Sequence, residues 1–142
     1  MNYWIFQCKK EKYDISSSEV LFSGMTGWWK ANQYRSDMSV GDVVFFWLAG
    51  DAHYRGIYGR GEITSKPYQW QSESKKGYSV DVICSRRLDQ PILATDVKSV
   101  RDLANIQILN MPMGSNFLLS KSEGLILEEL FANRVKEQDH ER

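Results

Sequence analysis

Three tryptophans stand in polar company. Trp28 and Trp29 are neighbours in GWWKANQYR, Gly27 to Arg35, and Trp70 lies in the run SKPYQWQSESKKG. An indole in such a place either plugs a gap beneath a loop or offers a flat apolar face to a ligand. A nucleobase stacks on an aromatic ring for roughly 1–3 kcal/mol, and methylated cations sit in cages of such rings. Adjacent side chains diverge on a strand and on a helix, so Trp28 and Trp29 cannot share one environment. Basic residues recur through the middle of the chain: Arg55, Arg60, Lys66, Lys75, Lys76, Arg86 and Arg87. If the strands pair as hairpins, several of these frame one opening suited to phosphates. A solvated charged face is the plainer use of the same residues.

Other chemistry is scarce. The two histidines are His53, in a turn, and His140, near the C-terminus. No GxSxG, P-loop, HExxH or Rossmann pattern appears. No Asp, Glu, His or Cys group has metal-ligand spacing. The sequence therefore predicts no catalytic residue, no metal and no cofactor. Cys8 and Cys84 lie in strand-like segments without CxxC spacing, which reads as reduced, buried thiols in a cytoplasmic protein. Lys+Arg and Asp+Glu both number 18. Zero net charge argues against binding to nucleic acid by bulk charge, and leaves room for a local basic face. The opening MNYWIFQCKK lacks the basic flank and long apolar core of a secretory signal. No run approaches the ~18 apolar residues of a membrane span, so no membrane partner is predicted.

The elements that must position these residues follow from local pattern. Tyr3 to Gln7 is aromatic and β-branched, a strand. Ser16 to Glu19 has capping-box spacing and predicts a short helix. Val40-Gly41-Asp42 is a turn, and the apolar run VVFFWLA after it predicts a strand buried on both faces. GIYGRGEI, Gly56 to Ile63, predicts a strand that bends or lets something pack on its backbone. The stretch Ser65 to Gly77 reads as a polar loop. In YSVDVIC, Tyr78, Val80, Val82 and Cys84 share one strand face. Asp96 or Ser99 begins a helix running to about Ile108, and Phe117 to Leu119 is a last short strand. Ser120 to Glu123 is a second capping box, and Ile126 or Leu127, Leu130, Phe131 and Val135 form the buried stripe of the helix after it. The fold class is α+β: a small, mixed, bent sheet or barrel flanked by helices. Residues 1–136 read as one domain and 137–142 as a frayed tail.

YWIF, TGWW with Asn32 nearby, VGDVVFFW, GIYGRGEI and the closing FLLSKSEGLILEEL, in this order and spacing, resemble the EVE domain family of the PUA-like superfamily. The likeness covers about residues 2 to 132. HYRGIYGRGEI and YSVDVICSRRL also resemble the related YTH domains, which read methylated adenine in RNA through two tryptophans that sandwich the base. By position, that resemblance implies Trp29 as the first cage ring, with Trp28 as the alternative, and Trp70 as the second. Lys30-Ala31 stand where YTH domains carry Ser-Thr, and QSESKK supplies no third aromatic.

The implied function is a non-catalytic reader of a modified base in DNA or RNA. Asn32 and Asp51 would contact the base edge, and Arg55, Arg86 and Arg87 would hold phosphates. The family resemblance also implies a setting beside restriction or other defence enzymes. Two other functions fit the same residues. One is a PUA-like, ASCH-type hydrolase of modified nucleosides, with Asp51, Glu62 or Asp81 as base. The other is a protein-interaction domain anchored by Trp28 and Trp29.

Overall fold

The computed structural model describes residues 1–141. Seven strands form one mixed sheet: β1 Tyr3–Lys9, β2 Thr26–Lys30, β3 Val43–Ala49, β4 Gly56–Ile63, β5 Tyr68–Gln71, β6 Lys76–Leu93 and β7 Asn116–Leu119. The order is β2-β6-β4-β3-β1-β7, with β5 paired to the start of β6. The β1–β3 pair is parallel and the others are antiparallel. Helices α1 Ala94–Ser99, α2 Gln107–Asn110 and α3 Lys121–His140 complete the expected α+β fold, a mixed, bent sheet flanked by helices.

The strands of the curled sheet carry apolar side chains on both faces. Trp4, Phe6, Trp29, Val44, Phe46, Tyr58, Val80, Val82 and Cys84 pack together inside the curl. Tyr3, Ile5, Val43, Phe45, Trp47, Leu88 and Ile92 pack on the opposite face, against Val97, Leu127 and Phe131 of the helices. VVFFWLA is thus buried on both sides, as its continuous apolar run predicts. The glycines of β4 serve close approach: a Cβ on Gly61 would lie 1.8 Å from the Ile83 carbonyl oxygen. Ladder irregularities fall around Gly59 and between Arg60 and Gly61, where the strand bends.

Four segments differ from the sequence expectation. Ser16 to Glu19 forms turns rather than a helix. The Arg87 guanidinium takes up carbonyls of this segment, those of Ile15, Ser16, Ser17 and Leu21, so they are satisfied from outside. The supposed polar loop at 65–77 contains β5, a hairpin partner of β6. The helix expected from Asp96 or Ser99 to Ile108 is broken into α1, a 3-10 turn at Arg101–Leu103 and α2. The Asp96 carboxylate accepts the Leu93 N–H at 3.0 Å, so the first piece starts earlier than expected. The expected tail at 137–142 is helical through His140, with Asp139 ion-paired to Arg86 and Gln138 bonded to Asp89 and Arg87 backbone. Arg142 lies outside the described residues. The second capping box forms as its spacing predicts. Ser120 Oγ accepts the Glu123 N–H at 3.1 Å and Glu123 Oε1 accepts the Ser120 N–H at 2.7 Å. No helix among the described residues is long and apolar enough to cross a membrane.

Candidate nucleic-acid interface

A cleft of about 750 Å³ opens where the curl ends, between the segment after β2 and the start of the β5–β6 hairpin. Asn32, Tyr34, Arg35 and Met38 line one side, with Lys66, Pro67 and Tyr78 on the other. Tyr78 reaches it because it shares a strand face with Val80 and Val82, one step beyond the packed interior. The Arg35 guanidinium lies over the Tyr78 ring, 3.6 Å from its centroid. The Arg35 guanidinium lines the cleft and also donates to the Ala31 carbonyl, and guanidinium planes stack flat groups such as bases. The Asn32 side-chain amide has no hydrogen-bond partner among the described residues and is exposed in the cleft.

The cleft wall is rigidly tied. Asn116, 2% exposed, accepts the N–H groups of Asn32 (2.9 Å) and Gln33 (3.2 Å) on Oδ1 and donates from Nδ2 to the Lys30 carbonyl (2.7 Å). Gln33 Oε1 returns two bonds, accepting from Ser115 N–H and Asn116 N–H. Replacing Asn116 by Ala should therefore cost about 2–3 kcal/mol, because buried backbone groups lose their partners. Amide exchange at Asn32 and Gln33 should quicken more than at β3. Equal protection of both regions in the variant would count against this role. At Tyr34 the backbone sits at φ 54°, ψ 31°, a left-handed conformation rarely adopted by aromatic residues. Its ring rests 6.3 Å from that of Trp4 by centroids, is exposed, and lines the cleft. Strain of this kind concentrates at functional sites.

The residues picked out from sequence fall in several places. Asn32 lines the cleft. Trp29, 6% exposed, is in the core: its ring packs on Phe6, Tyr13 and Phe46 and its Nε1 donates to the Gln7 carbonyl at 3.2 Å. Trp28 is 61% exposed. The expected division between the neighbours is thus reversed. The β6 register explains why Trp29 and Trp70 do not face each other. Trp29 pairs with Val80 and Trp70 with Gly77. Residues 77 and 80 point to opposite faces of β6, and directly paired residues share a face. No base can sit between Trp29 and Trp70.

The three arginines assigned to phosphates hold protein instead. Arg87 spends its donors on the four carbonyls already named, Arg86 pairs with Asp139, and Arg55 donates to the Ile108 carbonyl at 2.8 Å while lying over Trp47. Asp51 lies in the β3–β4 turn, remote in the fold from the cleft lining, and its carboxylate bonds to His53. The His53 backbone N–H, then its ring, hold the Asp51 carboxyl below the usual range. Glu62 pairs in register with Ile83, and Asp81 accepts the Tyr68 hydroxyl at 2.7 Å. None of these three carboxylates is on the cleft lining, which carries no carboxylate, imidazole or thiol. Burial pushes the Cys8 thiol up to about 12 and the Cys84 thiol to about 11, so both are protonated at neutral pH and poor nucleophiles. Among the described residues, no group of three or more His, Cys, Asp or Glu side chains gathers as metal ligands.

Sequence reasoning missed Tyr34, Arg35 and Tyr78. Tyr34 and Arg35 stood inside GWWKANQYR, overshadowed by the tryptophans. The one available signal was an aromatic followed by a cation in an otherwise polar run.

Three solved structures of similar fold set this geometry in context. A hypothetical protein from Leishmania major superposes with a TM-score of 0.72 at 20% identity, over 97% of both chains. Human THYN1, in complex with DNA containing 5-methylcytosine, gives 0.70 at 17% identity, over 92% of this chain and 97% of that one. The Mmi1 YTH domain in complex with RNA gives 0.56 at 14% identity, over 96% of this chain and 81% of that one. At these identities the likeness establishes the fold. No curated protein matches the chain at a significant level. The EVE domain model matches residues 2–130, in keeping with the curl, the bent β4 and the capped α3, and the chain belongs to the EVE domain family.

Proposed function

We propose that this EVE domain is a non-catalytic reader of nucleic acid, capturing a modified base in the cleft at the mouth of the curl. The observation that carries the reading is the Arg35–Tyr78 stack beside the unpartnered amide of Asn32. The stack offers a π-face to a base, and the amide offers a donor and an acceptor to its edge. Met38 and Val40 add apolar lining for a methyl or similar substituent. Such a group typically contributes about 1 kcal/mol, or roughly fivefold in affinity. Lys66 at the rim gives a phosphate contact. The complexes of THYN1 with methylated DNA and of the Mmi1 YTH domain with RNA support the same class of ligand. Extruding a base from its stack costs a few kcal/mol, so single-stranded or damaged sites are favoured.

The test is a binding panel of DNA and RNA oligonucleotides, each with one methylated or hydroxymethylated cytosine or one methylated adenine, against unmodified twins. At least one modified probe should bind about fivefold tighter than its twin. Asn32→Ala should weaken binding of that probe and of its twin alike, because the base edge loses its partner. Wild-type protein that binds every modified probe no better than its twin would sink the reading. Chemical turnover of any probe would move the assignment to a hydrolase.

A further inference from the structure

The face of β6 opposite the cleft carries its own constellation. Trp28 pairs with Asp81, Tyr68 with Ser79 and Trp70 with Gly77, so all three rings stand on the face that Trp29 and Tyr78 avoid. Further along β6, α3 covers this side through Arg86, Asp89 and Pro91. Beside residues 79 to 81, Trp28 and Tyr68 are exposed. Trp28 on β2 and the Tyr68–Trp70 pair on β5 flank β6 on its two sides, roughly 10 Å apart across the strands, so the rings are spread over the face rather than clustered as a core.

The polar groups around these rings are mostly donors. Trp70 Nε1 is buried without an acceptor, and Ser79, 2% exposed, holds its hydroxyl unpartnered beneath the patch. Lys30, in register with Ser79, and Lys75 at the hairpin tip are exposed and unpaired among the described residues. Against them stand Glu62, Glu73 and Asp81, the last with its carboxylate bonded by Tyr68. The patch is also continuous with the cleft. β2 runs from Trp28 through Lys30 into Asn32, and β5 begins at Tyr68, next to Pro67 of the cleft rim.

We infer that this outer face is a stacking platform for the single strand flanking the captured base. Trp28 and Tyr68 receive neighbouring bases, and the lysines face the phosphodiester. The inference rests on the nucleic-acid reading above but needs no modified base. A platform of rings and cations binds strands with little regard to sequence.

An unmodified thymidine heptamer at low salt is therefore the probe, followed by tryptophan fluorescence and anisotropy. Wild-type protein should bind it with quenching. Trp28→Ala should weaken binding about tenfold, Trp28→Phe should recover most of the loss, and Lys30→Gln should lower the salt slope by about one. Because Trp28 is exposed, its variants can be checked for intact folding by thermal melts. Failure of wild type to bind the heptamer, or equal binding by Trp28→Ala, overturns the platform. So does a concentration-dependent self-association that Trp28→Ala abolishes while heptamer binding stays intact. Preference for modified over unmodified probes in wild type judges the cleft separately, so the two readings can fail independently.

Discussion

Asp42→Ala is expected to lower the stability of the domain by about 3–5 kcal/mol. This carboxylate is 1% exposed and accepts three N–H groups: Asn2 backbone at 3.0 Å, Trp4 Nε1 at 2.9 Å and Ser39 backbone at 3.0 Å. Truncation leaves an indole N–H stranded in the core and frees the turn that follows the cleft segment. For a chain of this length the loss corresponds to a fall in Tm of about 10 °C or more. Asp42→Asn keeps one acceptor oxygen but turns an NH2 group toward donors, so it should fall between wild type and Ala. Urea melts monitored by circular dichroism and by tryptophan emission give the comparison. A loss below ~1 kcal/mol in the Ala variant would mean that water replaces the carboxylate at little cost, against a structural role for its three hydrogen bonds.

Tyr78→Ala is expected to have the largest effect on binding. It removes a ring and, with it, the seat of the Arg35 guanidinium. Stacking and cation–π contributions together are worth roughly 2–3 kcal/mol, which is about 30- to 150-fold in affinity for the preferred modified oligonucleotide. Tyr78→Phe keeps the π-face and should stay within about threefold of wild type. Tyr78 is half-buried, so each variant needs its melting curve beside its binding isotherm. A folded Tyr78→Ala protein with wild-type affinity would remove the cleft from consideration.

Much of the frame was legible because it depends on local pattern. The Gly41-Asp42 turn, the apolar run of β3, the glycines of β4 and the Ser120–Glu123 box each announce themselves within a few residues. The site was less legible because it depends on register. Alternation says that Trp28 and Trp29 diverge, but which one faces inward is set by pairing with Val80 and Asp81, about 50 residues away. Arg87 illustrates a second limit. A long cationic side chain reads the same in sequence whether its donors meet phosphates or the carbonyls of a loop. The hairpin at Tyr68–Gln71 was hidden by its polar composition, although Tyr68 and Trp70 alternate as strand residues do.

The double use of β6 constrains how this domain can change over evolutionary time. One continuous strand of 18 residues shows Tyr78 to the cleft and, on alternate positions, the partners of Trp28, Tyr68 and Trp70 to the other side. Its two surfaces are interleaved like the teeth of a zip. Gain or loss of a single residue between Gly77 and Val82 would exchange them and turn Val80 outward. Lineages of this domain should therefore tolerate length changes in the Ser72–Lys75 tip freely, and within β6 only in pairs or as a bulge that restores the phase.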